Sequence, residues 1–280
     1  MEIKKNIQLK SKSEKPVLID LYYKSDQIPK KVVIFCHGYK GFKDWGAWNL
    51  VAENFAKNDF FFIKMNFSHN GGTVDQPIDF PDLEAFGNNN FIKELYDLES
   101  VINWTIKNKE IRKEINSEDI SLIGHSRGGA IVLIEASENK NISKVITWGG
   151  VSDFNARFPS GEVLQEWRKK GVVYIENART KQKMPHYIQF YNSYKENENR
   201  LNIKNAVQNL NIPYLIIHGS NDETVLIGEA DNLYSWNSNN QISIIENANH
   251  TFDSKHPWDS TNLPDNLNLT VNESVQFINS

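Results

Sequence analysis

The sequence predicts an α/β protein: a doubly wound, mostly parallel sheet carrying a small helical cap over one edge. Three observations carry this. Short continuous apolar runs of strand length alternate along the chain with longer segments of helical period. Several of those runs lead at once into turns rich in Gly, His, Ser and Asp. Open parallel sheets bind their ligands beyond such strand ends. Finally, one stretch, 152–209, interrupts the alternation and is too long for a simple crossover.

The strands fall at 17–23 (VLIDLYY), 31–36 (KVVIFC), 60–67, 119–124, 144–148 (KVITW), 213–218 (PYLIIH) and 241–245 (QISII). Several are apolar throughout, as parallel strands covered on both faces require. Helical segments are expected near 46–57, 90–109, 127–137, 226–236 and 266–279. No internal repeat or long flexible linker divides the chain, so residues 1–280 read as a single domain. The 152–209 stretch is then a cap inserted within it.

Composition narrows the function classes. The chain has 280 residues, 39% hydrophobic and 11% aromatic, enough for a substantial core. A net charge of −4 gives no reason to expect nucleic acid or an anionic membrane as partner. The single cysteine, Cys36, excludes an intrachain disulfide framework, and its apolar run makes it a buried strand thiol. No apolar run is long enough to span a bilayer, and MEIKKNIQLK lacks the apolar core of a signal peptide, so a cytoplasmic protein is expected. No pair of His or Cys residues has a zinc spacing. Neither a metal nor a cofactor is expected, and nothing in the sequence indicates an oligomeric state.

The chemistry is concentrated in LIGHSRGGAIVL, residues 122–133. Small residues flank one hydroxyl, Ser126, between an apolar strand and an apolar helix face. A strand reversing into a helix within a few residues needs glycines where a Cβ would clash. The hydroxyl then stands at the tip of the turn. The plain alternative is a serine that caps its own helix. Three further strand ends carry polar turns: HGYKG (His37 to Gly41), HGSNDETV with Asp222, and ENANHTF with His250.

Taken in order, these four motifs resemble the α/β-hydrolase superfamily, near its dienelactone-hydrolase and small-esterase branches, including feruloyl-esterase-like enzymes. The resemblance covers nearly the whole chain. It implies an α/β-hydrolase fold and the chain order nucleophile, acid, base. It makes Ser126 the nucleophile, His250 its general base and Asp222 the acid that orients the imidazole. The backbone N–H groups of Tyr39 and Arg127 would form the oxyanion hole. Asp153, after the strand ending at Trp148, is a second candidate acid; the resemblance of HGSNDETV favours Asp222. His256 competes with His250 but precedes a proline six residues later. His37 and His218 are expected to orient loops, and His125 to pack within the elbow. For the Arg127 guanidinium, a structural ion pair beneath the elbow and a contact with an acidic substrate group both stand.

The expected activity is cleavage of a small-molecule carboxylic ester through an acyl-enzyme. Thioester or amide substrates, or a catalytically silent hydrolase-fold binding protein, are the alternatives. Between Phe154 and Tyr194 the cap stretch carries eight aromatic residues. Most would form the cap's own core, while some should face the elbow and favour short or aromatic acyl groups. Phe154, Phe158 and Tyr187 are the candidates, with His69 after the 60–67 strand.

Overall fold

The computed structural model describes residues 1–280. Its frame is an eight-stranded sheet made of β1 (Glu2–Leu9), β2 (Val17–Tyr23), β3 (Lys30–Cys36), β4 (Phe61–Asn66), β5 (Ile115–His125), β6 (Ile142–Trp148), β9 (Tyr214–Gly219) and β10 (Gln241–Ile245). The spatial order is β1-β2-β4-β3-β5-β6-β9-β10. From β4 to β10 every pairing is parallel. Only β1 with β2 and β2 with β4 run antiparallel. Two further strands, β7 (Val172–Glu176) and β8 (Lys183–Tyr187), form a separate antiparallel hairpin.

Period-two alternation along β3 builds a core on each face. Val32, Ile34 and Cys36 belong to one apolar cluster, whereas Val33 and Phe35 belong to the other. The first cluster is closed by α3 (Phe91–Lys107), α4 (Arg127–Glu138), α7 (Ile203–Gln208) and α8 (Ile227–Ser235). The second is closed by α1 (Trp48–Lys57) and α9 (Asp265–Asn279). Helix α3 contributes Leu95, Leu98, Val101 and Ile102, the helical spacing read from the sequence. It starts where the Asn90 side chain accepts a hydrogen bond from the Lys93 N–H at 3.0 Å.

Two elements of the frame carry no clear sequence signal. β1 is a polar edge strand, and α2 (Leu83–Gly87) is a single short turn of helix. The interrupting stretch lies between β6 and β9. It holds α5 (Gly161–Lys170), the β7–β8 hairpin and α6 (Gln189–Glu196), as well as α7, which packs on α4. The stretch is therefore mixed: helices as expected, plus a hairpin the sequence did not announce. Helix α5 ends on Gly171, whose φ of 73° reverses the chain directly into β7. Arg157 and Arg200 tie this segment to the frame through ion pairs with Glu229 and Glu138.

Candidate active site

Ser126 sits at a forced turn. Its φ of 56° and ψ of −121° are strained for a residue with a side chain. Two glycines make the turn possible. A Cβ on Gly124 would lie 2.3 Å from the Gly128 carbonyl oxygen, and one on Gly128 would lie 2.6 Å from the carbonyl oxygens of Cys36 and His37. The elbow is pinned by Ser126 N–H donating to the Trp148 carbonyl at 2.9 Å. The serine side chain makes no cap to its helix.

The loop after β3 runs against the serine. A Cβ on Gly38 would meet the Ser126 Cβ at 2.8 Å and its Oγ at 3.3 Å. Tyr39 N–H makes no hydrogen bond within the protein. Arg127 opens α4, so no helical carbonyl lies behind its N–H. His37 ties the loop down. Its Nδ1 donates to the Gly38 carbonyl at 2.8 Å and its Nε2 accepts from Phe67 N–H at 3.4 Å. Burial lowers its pKa to about 4 and keeps it neutral.

Below that loop lies a cluster of four charges. Lys43 and Lys64 both reach Asp20, at 2.8 and 3.0 Å, and both reach Asp44 at 2.5 Å. Asp20 and both lysines are fully buried. Burial alone would raise the Asp44 pKa, but the two ammonium groups hold it at about 2. Sequence reasoning missed this cluster, because its members come from β2, β4 and a loop between β3 and α1.

Asp222 and His250 come together from the ends of β9 and β10. His250 Nδ1 lies 2.7 Å from Asp222 Oδ2. Asp222 Oδ1 accepts the N–H groups of Thr224 and Val225, each at 2.8 Å. The carboxylate is fully buried, and burial opposes its charge. The His250 contact and the two amides outweigh that and leave its pKa below the ordinary value. His218 Nε2 donates to the Val225 carbonyl at 2.7 Å and lies 3.4 Å from Asp222 Oδ2. His125 holds the other side: its Nε2 donates to the His250 carbonyl at 2.9 Å. Burial first, and the neighbouring His250 next, lower the His125 pKa to about 3.

The other candidates separate cleanly. Asp153 is exposed and spends its Oδ1 on Asn155 N–H at 2.7 Å. His256 Nδ1 accepts from Gly46 N–H at 2.9 Å, in another loop. His69 does not reach the site. It is buried between the Ser68 hydroxyl at 2.8 Å and Lys93 Nζ at 3.2 Å. Tyr187 also turns away, because its ring packs on Gly87 and its hydroxyl donates to Glu84 at 2.5 Å. Cys36 is buried, and burial raises its thiol pKa.

Two cavities meet over Ser126, and Tyr39 and Thr224 line both. The larger, about 690 Å³, is mostly apolar and roofed by the 152–209 segment. Phe154 and Phe158 line it, with Phe190 and Trp167 from the same group of cap aromatics, and with Phe91 and Val163, which no sequence signal marked. Phe154 stacks on Phe91 with ring centroids 3.7 Å apart. Arg127 lies in its wall. Its Nη1 donates to the buried Glu94 at 3.1 Å, and the guanidinium sits 4.5 Å from the Tyr39 ring centroid. The smaller cavity, about 410 Å³, is lined by His250, His125, Trp45, Trp48 and Lys40 among others.

His186, on β8, was not singled out in the sequence. The Tyr39 hydroxyl donates to its Nε2 at 2.6 Å, joining the cap to the loop beside Ser126. Burial, with Arg127 and Lys40 nearby, lowers the His186 pKa to about 4. No group of three or more His, Cys, Asp or Glu side chains is arranged to hold a metal ion. No helix is long and apolar enough to cross a membrane.

Comparison with known proteins agrees with this frame. The BD-FAE family model matches residues 19–236, well over half of the chain. No curated protein sequence matches. Among solved structures, Est1E from Butyrivibrio proteoclasticus superposes with a TM-score of 0.70 at 14% identity, over 98% of both chains. The esterase domain of a Rhodothermus marinus protein gives 0.64 at 17% identity, covering 99% of this chain and 98% of that one. A dienelactone hydrolase from Anabaena variabilis gives 0.63 at 14% identity, covering 99% and 97%. At these identities the likeness is one of fold. The family match places the chain in the BD-FAE family, and the solved structures share its α/β-hydrolase fold.

Proposed function

We propose that this hydrolase cleaves carboxylic esters of short or aromatic acyl groups through an acyl-enzyme on Ser126. The observation that carries the reading is the 2.7 Å contact between Asp222 and His250, whose ring lines the same cavity as Ser126. With Asp222 accepting from Nδ1, the lone pair of the neutral imidazole is on Nε2, free to take the serine proton. Ser126 Oγ attacks the ester carbonyl as His250 removes its proton. The same proton then passes to the departing alcohol oxygen as the acyl–oxygen bond breaks. Water repeats the sequence and releases the acid. The Tyr39 and Arg127 N–H groups receive the negative charge on the carbonyl oxygen. Losing one such donor costs roughly 100–1,000-fold in rate.

Specificity follows from the larger cavity. Flat aromatic walls supply contact area to a ring or a short chain. A solved structure of the fold relative Est1E holds ferulic acid, an aromatic acid of this kind. The test is kcat/KM on 4-nitrophenyl acetate, butyrate, cinnamate and palmitate. Fastest turnover on the cinnamate or a short-chain ester is expected. Fastest turnover on the palmitate would overturn the substrate assignment and make the cap a lipid-binding lid.

A further inference from the structure

The two cavities meeting at Ser126 are not equivalent. His250 lines only the smaller one. In ester cleavage the histidine must deliver its proton to the leaving oxygen, so that oxygen has to lie on the histidine's side of the serine. The acyl group then occupies the larger aromatic cavity. The smaller cavity is left for the alcohol.

Its lining has one more asymmetry. Lys40 is the only lysine or arginine there, and no aspartate or glutamate accompanies it. The three histidines on the same wall, His37, His125 and His250, are each committed to other contacts. Lys40 is half-buried, forms no ion pair and no hydrogen bond, and lies 5.1 Å from the Tyr39 ring centroid. The ion-pair network of the neighbouring Lys43, Asp44 and Lys64 closes on itself below the loop and offers Lys40 no partner. A cation on the wall of a site with no acidic partner favours a ligand group of opposite charge.

From this cavity pairing we propose that the smaller cavity is the leaving-group site, and that it takes an alcohol bearing an anionic group within reach of Lys40. The inference rests on the acyl-enzyme reading above and adds the chemistry of the departing half. Ser126 Oγ forms the new bond to the acyl carbon, and the bond to the alcohol oxygen breaks. That oxygen leaves with the proton from His250. The alcohol's anionic group remains paired with the Lys40 ammonium until release.

The experiment uses two matched substrates, the cinnamoyl esters of glycolate and of glycolamide. They share an acyl group and differ only in a carboxylate against a carboxamide. Each kcat/KM is divided by the ester's own rate of reaction with neutral hydroxylamine, which corrects for leaving-group acidity without the charge repulsion that an anionic nucleophile would add. The expected preference for the glycolate ester is roughly twofold to fivefold at low ionic strength, the range for a partly solvated charge pair. It should shrink as salt is added to the wild-type protein. Lys40→Met, which keeps the aliphatic stem, should bring the ratio close to one. Both esters should pass through one acyl-enzyme, so single-turnover deacylation should give the same rate constant for each.

Equal or better use of the glycolamide ester by the wild type overturns the proposal, as does a ratio that Lys40→Met leaves intact. Either result, with Ser126 still acylated, sinks the leaving-group assignment alone. If neither ester acylates Ser126, the underlying ester-hydrolase reading fails and takes this inference with it.

Discussion

Replacing Asp222 by asparagine tests the base and its support in one atom. In the wild type, Oδ1 is held by the N–H groups of Thr224 and Val225 at 2.8 Å, and Oδ2 faces His250 Nδ1 at 2.7 Å. An asparagine keeps its carbonyl oxygen on the two amides, because the amide nitrogen cannot accept from them. Its NH₂ then occupies the place of Oδ2 and points a donor at Nδ1. The imidazole answers by moving its own proton to Nε2, which removes the lone pair that Ser126 needs. A wrong tautomer in a triad of this type lowers kcat about 10,000-fold. That corresponds to about 5 kcal/mol of transition-state stabilisation. The control is Asp153→Asn, which keeps the exposed turn contact to Asn155 and should change kcat less than about twofold, because surface changes of this kind are nearly neutral. The assay is turnover of a chromogenic ester by purified, folded variants, with melting temperatures recorded beside it. Near wild-type kcat in Asp222→Asn, or greater damage from Asp153→Asn, would refute the assignment.

Further outcomes concern stability. Lys64→Met removes an ammonium bonded to Asp20, Asp44, Asn49 and the Lys43 carbonyl, and leaves two carboxylates on one lysine. A loss of about 3–5 kcal/mol in urea unfolding is expected, the range for breaking a buried pair; a loss below about 1 kcal/mol would show that water reaches the cluster. The fold should also weaken in acid. His37, His69 and His186 have pKa values lowered to about 4 and His125 to about 3, chiefly by burial. Once unfolded they bind protons below about 6.5, so their contribution is complete above that pH and drains away as pH falls toward 4. Asp97, raised by burial to about 6, and Glu135, raised to about 7, act in the opposite sense. These four histidines against the two carboxylates leave a net uptake of about two protons on unfolding near pH 5, or about 3 kcal/mol per pH unit, and His256, also lowered by burial, adds in the same direction. Urea midpoints measured from pH 7 to 5 should fall steadily, and a flat series would contradict the burial of these histidines.

The parallel frame was legible because the central strands carry short apolar runs, VVIFC in β3 and YLII in β9 among them, and the longer helices beside them keep one apolar face. Ser126, Asp222 and His250 stood out because each follows a strand end, the first two in glycine-marked turns and the third behind the last strand. The sequence could not indicate β1, whose EIKKNIQL is polar and becomes a strand only by pairing with β2. Nor could it show that the 152–209 segment contains a hairpin, since KMPHY carries a proline and no alternation. Counting aromatics identified Phe154 and Phe158 on the cavity wall but also suggested Tyr187. Which way a ring on a short strand faces depends on its partner, here Gly87 of α2, far away in sequence. His69 misled for a related reason. It follows a strand at the correct edge, yet Ser68 and Lys93 enclose it. The Tyr39–His186 bond and the Lys43–Lys64 charge cluster join distant segments, and no local pattern encodes either.

The central claim is that Ser126 is an activated nucleophile. Its most direct test is reaction of the folded protein with a fluorophosphonate, followed by intact mass and peptide mapping. The account predicts one adduct per chain, located on Ser126, formed rapidly by the wild type, far more slowly by Asp222→Asn and not at all by Ser126→Ala. Absence of labelling in the wild type, or an adduct that persists in Ser126→Ala, would contradict it.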